Sequence, residues 1–136
     1  MAEVRKLGIV GAGQMGQGIA QVAAQAGLDV IIVDAALDFA QAGVGKIKKT
    51  LDRLVEKGKL DAAARDQTLG RLKAGGRHED LVDCDLVIEA APEKEDLKLA
   101  IFKSLGNLCK DDAILASNTS SISITKIAAA SGRPDR

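Results

Sequence analysis

The sequence predicts an α/β fold, a doubly wound and mostly parallel sheet. Short apolar runs recur along the chain and alternate with longer stretches of helical periodicity. The runs are continuously apolar and not alternating, which suits strands covered on both faces. The unusual polar clusters, Gly11–Gly16, Asp34, Glu89–Glu93 and Ser117–Ser121, each follow or close such a run. Open parallel sheets hold ligands at the carboxyl ends of their strands, and all four clusters fall there.

Leu7–Val10 reads as a buried first strand that stops at Gly11. Met15, Ile19, Ala20, Val22, Ala23 and Ala26 share a helical spacing over Met15–Ala26, and Gly27 is a natural stop. Val30–Val33 is a second strand ending at Asp34. Val44, Ile47, Leu51, Leu54 and Val55 fall three or four apart, so a helix runs over Leu37–Lys57, weakened by Gly43 and Gly45 and ended by Gly58. Asp61 is placed to cap another helix running to Leu72, and a short third strand follows at Ala74–Gly76. Leu86–Glu89 is a strand. Pro92 precedes a helix over Glu93–Leu108 whose acidic first turn suits the helix dipole. Ala113–Ala116 is the next strand, and Ser117–Ser121 a polar turn. Ser121 or Ser123 then caps a short helix over Ile124–Ala130. This order implies right-handed crossovers.

The 136 residues suit one domain, and 46% hydrophobic against 28% charged residues is a globular balance that excludes disorder. Nineteen basic and nineteen acidic residues cancel, which argues against a nucleic-acid or anionic-membrane partner. Trp and Tyr are absent, so the core is aliphatic and no stacking platform for single strands exists. No apolar run reaches the ~18 residues of a membrane span. Met1–Leu7, with Glu3, Arg5 and Lys6, lacks the apolar core of a signal peptide. Cys84 and Cys109 have no metal-type spacing and are too few for a disulfide framework. A cytoplasmic setting without a bound metal is expected.

The first turn reads Gly11-Ala12-Gly13-Gln14-Met15-Gly16. It follows a strand, opens a helix, and precedes an acid at the end of the next strand, the context of a dinucleotide-binding turn. Gly11 permits the tight turn, Gly13 lets a pyrophosphate approach the backbone, and Gly16 lets helix and strand pack closely. The N–H groups at the helix start, around Gln14 and Met15, face the phosphates. Asp34 lies 18 positions after Gly16. Its carboxylate can accept hydrogen bonds from both adenosine ribose hydroxyls and would repel a 2′-phosphate, which selects NAD over NADP.

Spacing alone leaves other positions open. Glu93 and Lys98, five apart, read more readily as a solvated face than as ribose contacts. Glu89 closes a buried strand and suits a structural hydrogen-bonding acid. The hydroxyls of Ser117–Ser121 fit either a capping turn or a binding turn. His78, the sole histidine, sits in a polar segment away from the predicted strand ends and reads as a surface residue. Lys46, Lys48, Lys49, Arg53 and Lys57 load one helix with positive charge, a solvated face or a clamp for a phosphate-bearing tail.

Together the residues resemble the 3-hydroxyacyl-CoA dehydrogenase family, in particular its bacterial 3-hydroxybutyryl-CoA branch. The matching pieces are Gly8-Ile-Val-Gly-Ala-Gly-Gln-Met-Gly-Gln-Gly-Ile-Ala20, Asp34, Leu51-Asp-Arg-Leu-Val-Glu-Lys-Gly-Lys-Leu60, Val87-Ile-Glu-Ala90 with Glu93, and Ser117-Asn-Thr-Ser-Ser-Ile-Ser-Ile124. The serine-rich block is the more specific signal, since other dehydrogenases share the glycine turn. The resemblance implies a Rossmann-type NAD-binding domain and reversible oxidation of an L-3-hydroxyacyl-CoA. It implies that Ser120 contacts the substrate oxygen as the active-site serine, that Glu93 and Lys98 contact a cofactor ribose, and that Asn118 lies near the nicotinamide. Thr50 and Lys57 would touch coenzyme A; the family more often has serine at the former.

The family also carries a His-Phe-Phe-Asn-Pro segment just beyond a stretch like Arg133–Asp135, with its catalytic histidine and a later orienting glutamate. A helical second domain then makes a homodimer. Neither occurs here, so residues 1–136 are expected to be the NAD-binding half, with 118–136 leading toward the second domain, and to be inactive alone. Two other readings remain: a stand-alone NAD-sensing regulatory module, and the β-hydroxyacid dehydrogenases with a similar glycine turn. The serine-rich turn and the basic helix count against the first, Asp34 and the serine-rich turn against the second.

Overall fold

The computed structural model describes residues 3–136; Met1 and Ala2, the head of the segment read above against a signal peptide, lie outside them. The chain runs β1 (Lys6–Val10), α1 (Gln14–Gln25), β2 (Asp29–Val33), α2 (Leu37–Glu56), α3 (Ala62–Gly70), β3 (Leu72–Gly75), one turn of 3-10 helix (His78–Leu81), β4 (Leu86–Glu89), α4 (Glu95–Leu108), β5 (Ile114–Ser117) and α5 (Ile124–Ser131). The five strands pair in parallel in the order β3-β2-β1-β4-β5. Winding starts at β1, proceeds to one edge, then returns across β1 to the other, so the switch point lies between β1 and β4.

Register sets up the site. Val10 pairs with Val33 on one side and Glu89 on the other, Val33 with Gly75, and Glu89 with Ser117. The carboxyl ends of all five strands are therefore level, and the loops that follow share one rim.

The strand side chains alternate between two cores. Leu7, Ile9, Val30 and Ile32 join Ala20 and Ala24 of α1 and Ile47 and Leu51 of α2. Val10, Ile31, Val33 and Val87 join Ile101 and Leu105 of α4 with Leu81, Cys84, Cys109 and Ala113. Each buried aliphatic side chain contributes about 1.5–3 kcal/mol. Burial pushes the Cys84 thiol up to about 12, so it is an inert core residue.

Several elements depart from expectation, α1 by one residue to Gln14–Gln25. α3 ends at Gly70, and Leu72, buried at 7% exposure, opens β3 opposite Val30; the strand is Leu72–Gly75 and not Ala74–Gly76. An apolar residue beside a turn suits a helix end or a strand start equally, and sheet pairing decides. Asp61 takes the N-cap of α3 but makes no capping hydrogen bond through its side chain. α4 starts at Glu95, because extended backbone at Lys94 leaves Pro92 and Glu93 in the loop. β5 is shifted by one residue to Ile114–Ser117. Gly43 is no weak point in α2: a Cβ there would meet the Ala12 Cβ and carbonyl oxygen at 3.0 Å, so its absence lets α2 approach the glycine turn.

Candidate cofactor and substrate site

The glycine turn is held by close contacts. Gly11 has φ +117°, a conformation that favours glycine, and a Cβ there would stand 2.6 Å from the Ala90 carbonyl oxygen. Its N–H donates to the Val33 carbonyl at 2.8 Å, tying the turn to β2. A Cβ on Gly16 would run into the Gly11 carbonyl. Gly13 has nothing within 4 Å of its Cβ position, and Gly13, Gln14 and Met15 are all exposed. No side chain caps α1, so its first N–H groups remain for a ligand. This open cradle of backbone donors at a helix start fits a diphosphate.

Asp34 stands at the end of β2, half-buried. Its Oδ2 accepts from the Ala12 N–H at 2.8 Å and its Oδ1 from the Ala35 N–H at 2.6 Å. Asp34 thus anchors the glycine turn, a role its spacing did not reveal. A carboxylate accepts about four hydrogen bonds, so lone pairs remain for ribose hydroxyls. Beside it lies a cavity of about 270 Å³ lined by Asp34, Ala35, His78, Pro92, Leu97 and Ile101 among others. Its apolar walls suit the face of a flat ring.

His78 corrects its reading as a surface residue. It is partly buried, its Nδ1 lies 2.7 Å from the Ser104 hydroxyl of α4, and it lines the cavity at the rim. The bond spans 26 positions, and the turn of 3-10 helix that carries His78 has no periodic signal.

Across the switch point, Glu89, Glu93, Lys98 and the serine-rich turn form one network. Lys98, only 1% exposed, is not on a solvated face. Its ammonium lies 2.7 Å from Glu93 Oε1 and 3.3 Å from Glu89 Oε2. Helical spacing misjudged the pair because Glu93 precedes the helix and reaches back to it. Glu93 accepts from the Thr119 hydroxyl at 2.7 Å and the Ser120 N–H at 3.1 Å, with the Ser120 hydroxyl at 3.5 Å. The Lys98 ammonium first, then the Thr119 and Ser120 donors, hold the Glu93 carboxyl down to about 2. Glu89, fully buried, accepts from the Ser117 hydroxyl and the Ala91 N–H, both at 2.6 Å, as its reading as a structural acid expected. The Asn118 N–H donates to the Glu89 carbonyl at 2.8 Å, and the Asn118 and Ser120 side chains are exposed. Ser123, and not Ser121, caps α5 by accepting from the Lys126 N–H at 3.3 Å.

Gly11, Gly13, Gln14, Met15, Gly16, Asp34, Glu93, Lys98, Asn118 and Ser120 therefore border one rim. Thr50 and Lys57 do not join this network: both are exposed, Thr50 donating to the Lys46 carbonyl at 3.1 Å within α2 and Lys57 at its end. Among the described residues no helix is long and apolar enough to cross a membrane.

Comparison with known proteins bears on this geometry. The family model for the NAD binding domain of 3-hydroxyacyl-CoA dehydrogenase matches residues 6–136. The chain is 53% identical over 129 residues to the probable 3-hydroxybutyryl-CoA dehydrogenase of Deinococcus radiodurans, covering 95% of this chain and 46% of that one. It is 49% identical to the 3-hydroxybutyryl-CoA dehydrogenase of Bradyrhizobium diazoefficiens, covering 99% and 46%. The crystal structure of (S)-3-hydroxybutyryl-CoA dehydrogenase from Ralstonia eutropha superposes with a TM-score of 0.93 at 47% identity, covering 98% of this chain and 47% of that one. The chain spans about half the length of these two relatives. These matches favour a dehydrogenase over a regulatory module. The level rim, the open glycine cradle and the acid of β2 are the parts such a domain needs, and the chain belongs to the 3-hydroxyacyl-CoA dehydrogenase NAD-binding domain family.

Proposed function

We propose that this chain is the cofactor-binding half of an enzyme that reversibly oxidises an L-3-hydroxyacyl-CoA, of which 3-hydroxybutyryl-CoA is the best-supported member, to the 3-oxoacyl-CoA. The observation that carries the reading is the level rim. The glycine turn and Asp34 stand on one side of the switch point, the Glu93–Lys98 pair and Ser120 on the other. A dinucleotide laid along this rim would put its diphosphate over the start of α1.

Bound NAD supplies the hydride acceptor. The chain orients it. The N–H groups at the start of α1 meet the diphosphate, and Asp34 accepts the adenosine ribose hydroxyls. Glu93 meets the second ribose, with Lys98 holding it from behind. Asn118 borders the nicotinamide. The Ser120 hydroxyl donates to the oxygen on the substrate's C3, fixing the carbon whose hydride departs. Among the described residues His78 pairs with Ser104 and lines the cavity beside Asp34, whereas Ser120 bonds to Glu93, so no hydrogen bond couples His78 to the hydroxyl that meets the substrate. The chain alone then binds cofactor without turnover. The exposed Thr50, Lys57 and neighbouring lysines of α2 meet the phosphates of coenzyme A.

Calorimetric titration tests this. NADH binds, NADPH binds at least about tenfold more weakly because its 2′-phosphate meets Asp34, and coenzyme A binds separately with an affinity that Lys57→Ala lowers. Equal affinity for NADH and NADPH overturns the cofactor assignment. No affinity for coenzyme A overturns the substrate class and revives the regulatory or β-hydroxyacid readings.

A further inference from the structure

Glu89 closes β4 with no solvent exposure. Stability alone does not account for an acid there, since a buried ion pair is commonly no better than apolar residues of the same size. What distinguishes Glu89 is how many elements its carboxylate joins. Oε1 accepts from Ser117 at the end of β5; Oε2 accepts from Ala91 in the loop after β4 and faces Lys98 of α4.

The geometry points to Glu89 as the positioning residue of the nicotinamide half of the site, an inference that rests on the NAD reading above. Lys98 sits between two unlike partners. Glu89 is fully buried, whereas the Glu93 side chain is 37% exposed. With Glu93 as its only anion, the ammonium would be drawn outward to water, because burying an ammonium with a single half-solvated partner is costly. Glu89 pulls from the core side and fixes the ammonium behind Glu93. Glu93 is then held where it accepts from Thr119 and Ser120. Through Ser117, Glu89 also pins the strand end from which Asn118, Thr119 and Ser120 depart. One buried carboxylate thereby sets both the carboxylate offered to the second ribose and the turn offered to the substrate.

Glu89→Gln isolates this role. The amide keeps the side-chain shape, its oxygen can stay on the Ala91 N–H, and its NH2 can donate to the Ser117 oxygen, so what is lost is the negative charge facing Lys98. Affinities for NADH and ADP are compared by calorimetry. ADP carries the adenosine and diphosphate but no nicotinamide riboside. We expect NADH to weaken about tenfold, the size of one hydrogen bond to a charged group, with ADP unchanged. Equal weakening of both ligands would show a merely structural role and overturn the inference, as would unchanged NADH affinity. If circular dichroism shows Glu89→Gln unfolded, Ser117→Ala replaces it: several-fold weaker NADH binding with ADP unchanged supports the inference, and any other pattern overturns it. A wild-type chain that binds no NADH sinks the NAD reading instead.

Discussion

At the scale of single residues, the acids at the strand ends each hold more than one thing. Asp34 anchors the Ala12 N–H and is the proposed acceptor of the ribose hydroxyls, so Asp34→Ala removes a charged acceptor from the fold and, on that proposal, from the ligand. NADH affinity should fall by about 1–3 kcal/mol in a titration, with a smaller loss of thermal stability. At the opposite ends of the strands, Asp85 accepts from the Arg5 N–H at 2.8 Å and the Lys6 N–H at 2.9 Å, and pairs closely with Lys110. The Lys110 ammonium and these two N–H groups hold its carboxyl well below the usual range. A group whose folded pKa is depressed contributes stability above its unfolded pKa of about 4 and loses it as pH falls toward the folded value. Urea unfolding of Asp85→Ala should show about 2 kcal/mol lost at pH 7 and a flatter decline below pH 4. Equal slopes in variant and parent would refute this. The placement of Asp34 beside the glycine turn was legible because its spacing from that turn has a known physical use. The Glu93–Lys98 pair was not legible from spacing, since its geometry depends on where α4 begins. The contact of His78 with Ser104 is non-local and left no sequence signal at all.

At the scale of elements, periodicity placed the α-helices and four of the five strands to within a few residues; the third strand was displaced until sheet pairing set it at Leu72–Gly75, the start of α4 was set by extended backbone at Lys94, and the 3-10 turn at His78–Leu81 was missed. The glycines inside helices show what a pattern cannot tell. Gly43 and Gly45 of α2 look alike in sequence, yet Gly43 meets Ala12 and Gly45 meets nothing within 4 Å. Gly106 of α4 is the extreme case: a Cβ there would strike the Ser131 backbone carbonyl of α5. Gly106→Ala should destabilise by roughly 1–3 kcal/mol, through backbone that must move. Gly45→Ala should stabilise by about 0.5–1 kcal/mol, as an exposed helix glycine replaced by the best helix former. Thermal unfolding of the two variants separates them by sign, and two shifts of the same sign would contradict the packing described for α4 and α5.

At the scale of the whole molecule, parallel pairing in register is what converts scattered motifs into a site. Val33, Val10, Glu89 and Ser117 stand side by side, so residues from Gly11 to Ser120 meet on one rim although nearly the whole chain separates them. The doubly wound order was legible in the alternation of apolar runs, and with it the rim. The roles proposed for Ser120 and Asn118 were not legible from spacing, because a serine-rich turn at a strand end caps a helix as readily as it binds a substrate. Crystals of the chain grown with NADH test the cofactor site most directly. The diphosphate should lie against Gly13–Met15 at the start of α1, with both adenosine ribose hydroxyls on Asp34 and the second ribose beside Glu93. A bare glycine turn at saturating NADH, or an Asp34 carboxylate turned from the sugar, would contradict it.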